Sequence, residues 1–113
     1  MSVCETEHWI LDCGEGSGCF LVEGENNEVL YWSCSPPSTV SGRRKSALLL
    51  DDSSQKLTLC YSDLDKSAIA EALGELTGRS IVVYQTEDAG PQTLCQTGTF
   101  DELLQANGLG LQD

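Results

Sequence analysis

Apolar and polar residues alternate along the first third of the chain with the two-residue period of half-buried β-strands. Trp9, Leu11 and Cys13 fall on one face of the first such run, which we expect to point inward. Two further β-rich runs, 19–22 and 29–34, are separated from it and from each other by turn-forming sequences rich in glycine and asparagine. The pattern therefore predicts a three-stranded meander.

Two segments in the second half of the chain have helical periodicity. The segment 62–65 offers two candidate N-caps for a helix that runs from about Asp65 to Thr77, and Gly78 is a stop signal. Thr99 and Glu102 have the spacing of a capping box, which predicts a second, shorter helix. The predicted buried faces consist of Ile69, Ala72, Leu73 and Leu76 in the first helix and of Phe100, Leu103 and Leu104 in the second.

The remaining apolar runs predict strands. Residues 47–50 and 57–61 flank a turn-forming sequence and suggest a hairpin, 81–84 is a β-branched strand, and 93–97 is a weak strand suited to a sheet edge. Strands and helices do not alternate regularly, so we predict an α+β fold with one mostly antiparallel sheet of about five to seven strands and two helices packed against it. Residues 1–113 are expected to form a single domain.

The segment 35–46 contains two prolines and few core-forming residues, which predicts a mobile surface loop. Arg43, Arg44 and Lys45 are half of the basic residues of the chain and offer a contact for an acidic partner. Together with Ser46 they also resemble the Arg-Arg-x-Ser pattern that basophilic kinases favour. The alternative is that this loop is simply solvated.

The net charge of the chain limits the classes of molecule that it could bind directly. The chain has 113 residues, of which 18 are acidic and 6 basic, for a formal net charge of −12. Such a density repels phosphate backbones and anionic lipids, so we expect no direct binding to nucleic acid or to membranes. The acids are spread along the chain, which indicates either a merely soluble surface or one that attracts a basic partner.

The chain has six cysteines, at positions 4, 13, 19, 34, 60 and 95, and whether they form disulfides depends on the compartment in which the protein resides. Neither a secretory signal nor a membrane-length apolar run is evident, so the sequence predicts a cytoplasmic protein whose cysteines are structural thiols. No Cys-x-x-Cys pair occurs and His8 is the single histidine, so we predict no metal site and no cofactor. A disulfide or a reactive thiol is the alternative.

No enzyme signature is evident, whereas several residues suggest binding to another protein. Adjacent aromatic residues in a strand point to opposite faces, so Tyr31 or Trp32 is expected to point away from the core. The possible edge strand near Thr93 could accept another chain, and the helix face around Ile69 and Leu73 could dock onto a partner.

One segment resembles a known family. Ala68-Ile69-Ala70-Glu71-Ala72-Leu73-Gly74-Glu75-Leu76-Thr77-Gly78-Arg79-Ser80-Ile81-Val82-Val83-Tyr84 is similar to the helix-to-strand unit of the small proteasome-assembly chaperones, and the layout of elements is also similar. The resemblance implies a cytosolic, non-enzymatic protein that pairs with a like-folded partner and holds α-type proteasome subunits. It carries over no motif residue.

These observations favour a non-enzymatic adaptor or assembly factor that binds another protein. The resemblance to the small proteasome-assembly chaperones implies that this protein is a subunit that pairs with a like-folded one. One alternative is an acidic inhibitor that mimics nucleic acid on a basic target protein. A second alternative is a small cysteine-dependent enzyme in which His8 approaches a cysteine across the fold.

Overall fold

The computed structural model describes residues 2–14, 18–35, 44–45, 55–84 and 93–111, and it shows an α+β fold with two helices and antiparallel strands. In chain order the elements are β1 (Ser2–Glu5), β2 (Ile10–Gly14), β3 (Gly18–Glu23), β4 (Val29–Ser35), β5 (Arg44–Lys45), β6 (Leu57–Ser62), α1 (Lys66–Thr77), β7 (Ile81–Val83), β8 (Thr93–Gly98), α2 (Phe100–Ala106) and β9 (Leu109–Leu111). Neither helix is long and apolar enough to cross a membrane, within the part of the chain described.

Four strands of six or seven residues form the central sheet in the order β4-β3-β6-β8. The two-residue β5 pairs with the free edge of β4, opposite Tyr31 and Trp32. All of these pairings are antiparallel. Strand β8 is the last strand on the other side of this sheet, as the weak strand pattern at 93–97 predicted.

The strands do not all join one sheet, which corrects the prediction of a single sheet of about five to seven strands. β1 pairs with β2, and β7 pairs with β9, as two separate two-stranded sheets. The predicted meander is therefore wrong in its first strand, because β2 pairs with β1 instead of β3. Alternation reveals that a strand is half-buried, but it does not reveal which strand edge it will pair with.

Two predicted features fall partly outside the described residues. Of the predicted hairpin, 47–50 lies outside them, whereas β6 is present and pairs with β3 along one edge and β8 along the other. Most of the predicted loop, 36–43 and 46, also lies outside them.

Helix α1 begins and ends where its capping residues predict. Asp65 accepts a hydrogen bond from the backbone N–H of Ala68 at 2.8 Å, which satisfies a donor that the first helical turn leaves unpaired. Gly78 ends the helix in the left-handed conformation, with φ of 66°, where a Cβ would be strained. The predicted buried face is confirmed, since Ile69, Ala72, Leu73 and Leu76 are all buried.

Helix α2 has the predicted capping box. The Thr99 side chain accepts from the backbone N–H of Glu102, and the Glu102 carboxylate accepts from the backbone N–H of Thr99 at 2.9 Å. Its predicted buried residues, Phe100, Leu103 and Leu104, are buried. After the helix, the Asn107 side chain donates to the Leu103 carbonyl and to Gln96 on β8, which fixes α2 to the sheet.

The two faces of the central sheet are covered by different material. Residues that alternate along β3 separate into two clusters: Phe20 and Val22 pack with the helices, whereas Cys19 and Leu21 pack with the β1–β2 sheet. We call the first cluster the aliphatic core. We call the second the sulfur-rich core, which consists of Cys4, Cys19, Leu21 and Cys60 with Leu11, Cys13, Val29 and Trp32 packed against it.

Candidate functional site

A cleft of about 400 Å³ opens where the β1–β2 turn meets the β3–β4 turn and the neighbouring ends of β6 and β8. Its lining is mostly polar and consists of Thr6, Glu7, His8, Glu23, Gly24, Glu25, Asn27, Lys56, Thr58 and Thr97. The cleft therefore lies between the central sheet and the two-stranded sheet of β1 and β2, which we call the covering sheet.

The turn between β1 and β2 is organised by Thr6. Its hydroxyl oxygen accepts from the backbone N–H groups of His8 at 3.2 Å and Trp9 at 2.9 Å, and its own N–H donates to the Trp9 carbonyl at 2.8 Å. A threonine that satisfies the N–H groups following it is a common way to hold a tight turn. These bonds fix the backbone from which the His8 and Trp9 side chains project.

His8 contacts the carboxyl group of Glu23, with 2.9 Å between Nδ1 and Oε1. The Glu23 side chain is almost completely buried at the end of β3, whereas that of His8 is 41% exposed. The second carboxyl oxygen of Glu23, Oε2, is buried and has no hydrogen-bond partner among the described residues. When His8 is protonated the contact is an ion pair, which reduces the cost of burying a carboxylate here.

Trp9 and Ile10 form an exposed apolar pair beside this cleft. Trp9 is 44% exposed and Ile10 is 71% exposed. The indole N–H of Trp9 donates to the backbone carbonyl of Asn27 in the β3–β4 turn, so the ring is held in one orientation while part of it faces solvent. Trp9 was predicted to point inward, and its exposure is a correction: it precedes the first residue of β2, so the alternation of that strand does not apply to it.

The surroundings of Trp9 and Ile10 are strongly acidic. Glu5, Glu7 and Asp12 on the covering sheet are exposed, as is Glu25 in the β3–β4 turn. Lys56 also lines the cleft and lies close enough to Glu102 that its charge contributes to lowering the pKa of that carboxyl group. Acidic side chains nevertheless outnumber basic ones at this end of the molecule. We call Trp9, Ile10, Glu7 and Glu25 the docking face.

Four of the six cysteines are disulfide-bonded, which corrects the prediction of structural thiols for those four. Cys13 on β2 is disulfide-bonded to Cys34 on β4, and Cys60 on β6 to Cys95 on β8. Cys4 and Cys19 are the free cysteines, and both are completely buried. The bonded pairs are separated by 21 and 35 residues, so no local spacing could have revealed them.

Several residues predicted to contact a partner are not at the surface. Tyr31, Ile69 and Leu73 are each at most 1% exposed and belong to the aliphatic core, so they offer no surface to a partner in this fold. The Tyr31 hydroxyl donates to the Glu75 carboxylate on α1. Trp32 does point to the opposite face, as predicted, but there it packs half-buried against the sulfur-rich core.

The other predicted contact residues lie at the edges of the central sheet. Thr93 is the first residue of β8, the terminal strand, and pairs with Ser62. Arg44 and Lys45 form β5 at the opposite side. Arg43 lies outside the described residues. Among the described residues, Lys45 pairs with Tyr31 and Arg44 with Trp32 at one edge of the central sheet, whereas Thr93 lies at the other edge.

Few features of the sequence could have predicted the docking face. A threonine followed by an aromatic residue in a turn is compatible with the observed geometry but is too common to predict it. Glu23 could not be identified as buried, because a carboxylate at the end of a strand is normally solvated. Its pairing with His8 depends on contact between two turns that are 15 residues apart in the chain.

A second depression, of about 510 Å³, lies beside α2 and β9. Tyr84, 67% exposed, lies against Gly110, where a Cβ would meet the Tyr84 ring at 2.3 Å. This surface provides a natural control for the docking face, since it also carries a large exposed ring. No family model, curated protein or solved structure matches this chain, so its function has to be argued from these surfaces.

Proposed function

We propose that this chain is a protein-binding domain, an adaptor or assembly factor, whose docking face binds a basic segment of another protein. The observation that carries the proposal is the exposed pair of Trp9 and Ile10, held beside a cleft lined by acidic residues.

The apolar part of the docking face is suited to anchor a partner. Binding energy at protein interfaces is concentrated in a few large side chains, among which tryptophan is over-represented. Trp9 is already fixed by its hydrogen bond to Asn27, so little conformational entropy would be lost when a partner covers it. Ile10, the next residue in the chain, is 71% exposed and offers a second apolar contact.

The acidic part of the docking face selects the charge of the partner. Glu7 and Glu25 line the cleft and are exposed, so they attract lysine and arginine side chains and repel acidic ones. Exposed charges of this kind affect the rate and specificity of association more than its final strength. A basic segment with an apolar residue next to its charges would match both parts of the face.

The disulfides bear on where this binding takes place. Disulfides persist in oxidising compartments and are rare in the cytosol, so Cys13–Cys34 and Cys60–Cys95 weigh against the cytoplasmic location predicted from the sequence. They weigh equally against a role in proteasome assembly, which that location would require. A secreted or otherwise oxidised binding domain is the form of the proposal that the cysteines support.

The two rival functions receive less support. A mimic of nucleic acid would bind through spaced carboxylates alone, and it would not need the apolar pair of Trp9 and Ile10. A cysteine enzyme would need an accessible thiol, but four cysteines are disulfide-bonded and the remaining two are buried. His8 contacts Glu23 instead of a cysteine.

The test uses the tagged 113-residue chain as bait in a whole-cell lysate and in a secreted-protein fraction, at low and at high salt, with captured proteins identified by mass spectrometry. We expect a partner with a basic segment to be retained by the wild type and largely lost when Trp9→Ala and Ile10→Ser are combined. Tyr84→Ser removes an exposed ring outside the docking face and should leave capture unchanged.

Two substitutions that each remove one negative charge test whether the acidic part of the docking face contributes to binding. Glu7→Gln should weaken capture at low salt, whereas Glu71→Gln, which removes an exposed acid from α1, should not. Capture that is insensitive to the Trp9 and Ile10 changes would overturn the proposal. If the captured proteins then bind nucleic acid and leave at high salt, the mimicry reading takes its place. Capture of α-type proteasome subunits would instead favour the assembly-chaperone reading.

A further inference from the structure

Cys4 on β1 and Cys19 on β3 are in direct contact inside the sulfur-rich core. Their Sγ atoms are 2.8 Å apart, and both residues are 0% exposed. That separation is shorter than unbonded sulfur atoms adopt and longer than a disulfide bond, whose sulfur atoms are roughly 2.05 Å apart, so the two sulfurs stand close to bonding distance. The other four cysteines are already joined in two disulfides, so every cysteine of the chain has another cysteine as its partner.

We propose that Cys4 and Cys19 form a third disulfide in the mature protein, so that all six cysteines are oxidised. The bridge would connect β1 to β3, which lie in different sheets. It would stand beside the Cys13–Cys34 bridge, which connects β2 of the same covering sheet to β4. The covering sheet would then be fixed to the central sheet through each of its two strands.

The two sulfur atoms are already close to bonding distance. A disulfide has sulfur atoms roughly 2.05 Å apart, so closing the contact of 2.8 Å requires a movement of about 0.7–0.8 Å. Cys4 pairs with Leu11 on β2, and Cys19 pairs with Ser62 on β6, so both strands are held by their neighbours.

The chemistry of the pair also suits thiol oxidation. The hydrogen bond from Cys4 lowers the pKa of Cys19, while the same hydrogen bond and burial raise the pKa of Cys4. Cys19 is therefore the more acidic thiol of the two once the sheets have packed, although burial and the nearby carboxylates of Asp63 and Asp12 oppose this shift. Before the covering sheet packs, when an oxidant can reach both sulfurs, either cysteine can supply the thiolate that is the nucleophile in disulfide exchange.

The reaction needs a small disulfide oxidant such as glutathione disulfide. One cysteine thiolate attacks the oxidant, forms a mixed disulfide and releases one oxidant thiolate. The second cysteine, as its thiolate, attacks the protein sulfur of that mixed disulfide, forms the Cys4–Cys19 bond and releases the second oxidant thiolate. Two thiol protons leave the protein and one oxidant disulfide becomes two thiols. Because both sulfurs are buried in the folded chain, the oxidant reacts before the covering sheet packs.

The third bridge has a consequence for the docking face. Trp9 and Ile10 lie in and next to the turn that connects β1 to β2, between Cys4 and Cys13. With both of those cysteines bonded to the central sheet, the turn is held on either side. This inference does not depend on the proposed function, since the cysteine pairing can be established without any partner.

The test is the pairing map of the full-length chain. The reduced, unfolded protein is refolded in oxidised and reduced glutathione, and any remaining thiols are alkylated in denaturant. Cleavage after glutamate together with trypsin places every cysteine in a separate peptide: Glu5 and Glu15 separate Cys4, Cys13 and Cys19, and Arg43 and Lys56 separate Cys34 from Cys60. Unreduced digests then identify each linked pair directly.

We expect no alkylation, a mass lower by one hydrogen per cysteine than that of the reduced chain, and a linked peptide containing Cys4 and Cys19. Alkylation of Cys4 and Cys19 alone would overturn the proposal, and so would any other pairing. Cys19–Cys34 is the most informative wrong pair, since these residues stand opposite each other on β3 and β4.

Discussion

The two faces of the central sheet are stabilised in different ways. On one face, two helices bury sixteen residues of the aliphatic core, among them Leu59, Leu73 and Leu103. On the other, the β1–β2 sheet covers a core with four buried residues, three of which are cysteines. Burial of apolar area stabilises the first face, whereas the second depends on the Cys13–Cys34 disulfide, which joins the covering sheet to the central sheet.

The difference follows from the size of each cover. A two-stranded sheet has little apolar surface and is at best marginally stable by itself, so it needs a covalent connection that a pair of amphipathic helices does not. The docking face lies on the weaker cover. Because Trp9 and Ile10 are exposed, they do not add buried apolar area to the core beneath the covering sheet. The cysteines compensate for this missing stabilisation.

The largest expected effect is in the aliphatic core. Leu73→Ala removes a completely buried side chain from α1 and leaves a cavity between helix and sheet. We expect the free energy of unfolding to fall by about 2–5 kcal/mol. Leu73→Met keeps most of the volume and should cost less than about 1.5 kcal/mol. Urea unfolding curves measure both, and equal losses would mean that Leu73 does not fill a packed core.

The next effect is in the covering sheet. Replacing Cys13 and Cys34 together by serine removes the bridge that closes a segment of 21 residues, and we expect a loss of about 2–4 kcal/mol. Hydrogen exchange should quicken in β1 and β2 well before β6 and β8.

The matched control replaces Cys60 and Cys95 by serine. This bridge lies within the central sheet, between neighbouring strands, so its loss should leave β1 and β2 protected. If the two double variants gave the same exchange pattern, the covering sheet would not depend on its own bridge, and the contrast between the two faces would be wrong.

A smaller effect is expected at the start of α2. Thr99→Val keeps the shape of the side chain but removes the oxygen that accepts from the Glu102 N–H, so we expect a loss of about 1 kcal/mol. Thr97→Val, on the exposed side of β8, should change stability by no more than about 0.5 kcal/mol. Thermal unfolding distinguishes them, and a harmless Thr99→Val would show that the capping box adds nothing.

The smallest effect concerns pH. Hydrogen bonds from the backbone and side chain of Thr99 lower the pKa of Glu102 below its ordinary value. Since the folded state favours the carboxylate, this stabilisation is present above the ordinary pKa, near 4.3, and is lost as pH falls through the lowered value. Glu102→Gln cannot titrate, so the difference in urea midpoint between it and the wild type should shrink below about pH 4. A constant difference would contradict the assignment.

Local features of the sequence were sufficient for the helices. Asp65, Gly78, Thr99 and Glu102 act on groups within four residues of themselves, so their effects can be read from spacing alone. The buried faces of α1 and α2 follow for the same reason, since helical periodicity depends on near neighbours. Most strands were also located, and the predicted pairing of β3 with β4 is confirmed, but the pairing of β2 with β1 was not predicted.

The candidate site was much harder to predict. The alternation that located β2 predicted that Trp9 points inward. This prediction was wrong because the turn organised by Thr6 includes Trp9, so the strand begins only at Ile10. Tyr31, Ile69 and Leu73 were proposed as contact residues from their patterns, and each is buried because the helices cover that face of the sheet. Which apolar face stays uncovered depends on how the elements pack.

The sequence by itself determined the α+β class, both helices with their caps, and the acidic surface, because each depends on composition or on residues close together in the chain. Only the tertiary structure decided that β1 pairs with β2, that Cys13 meets Cys34 and Cys4 meets Cys19, and that Glu23 is buried under His8. Those contacts join residues from 5 to 21 positions apart, and no periodicity in the sequence encodes which strand will pair with which or which sheet will cover which.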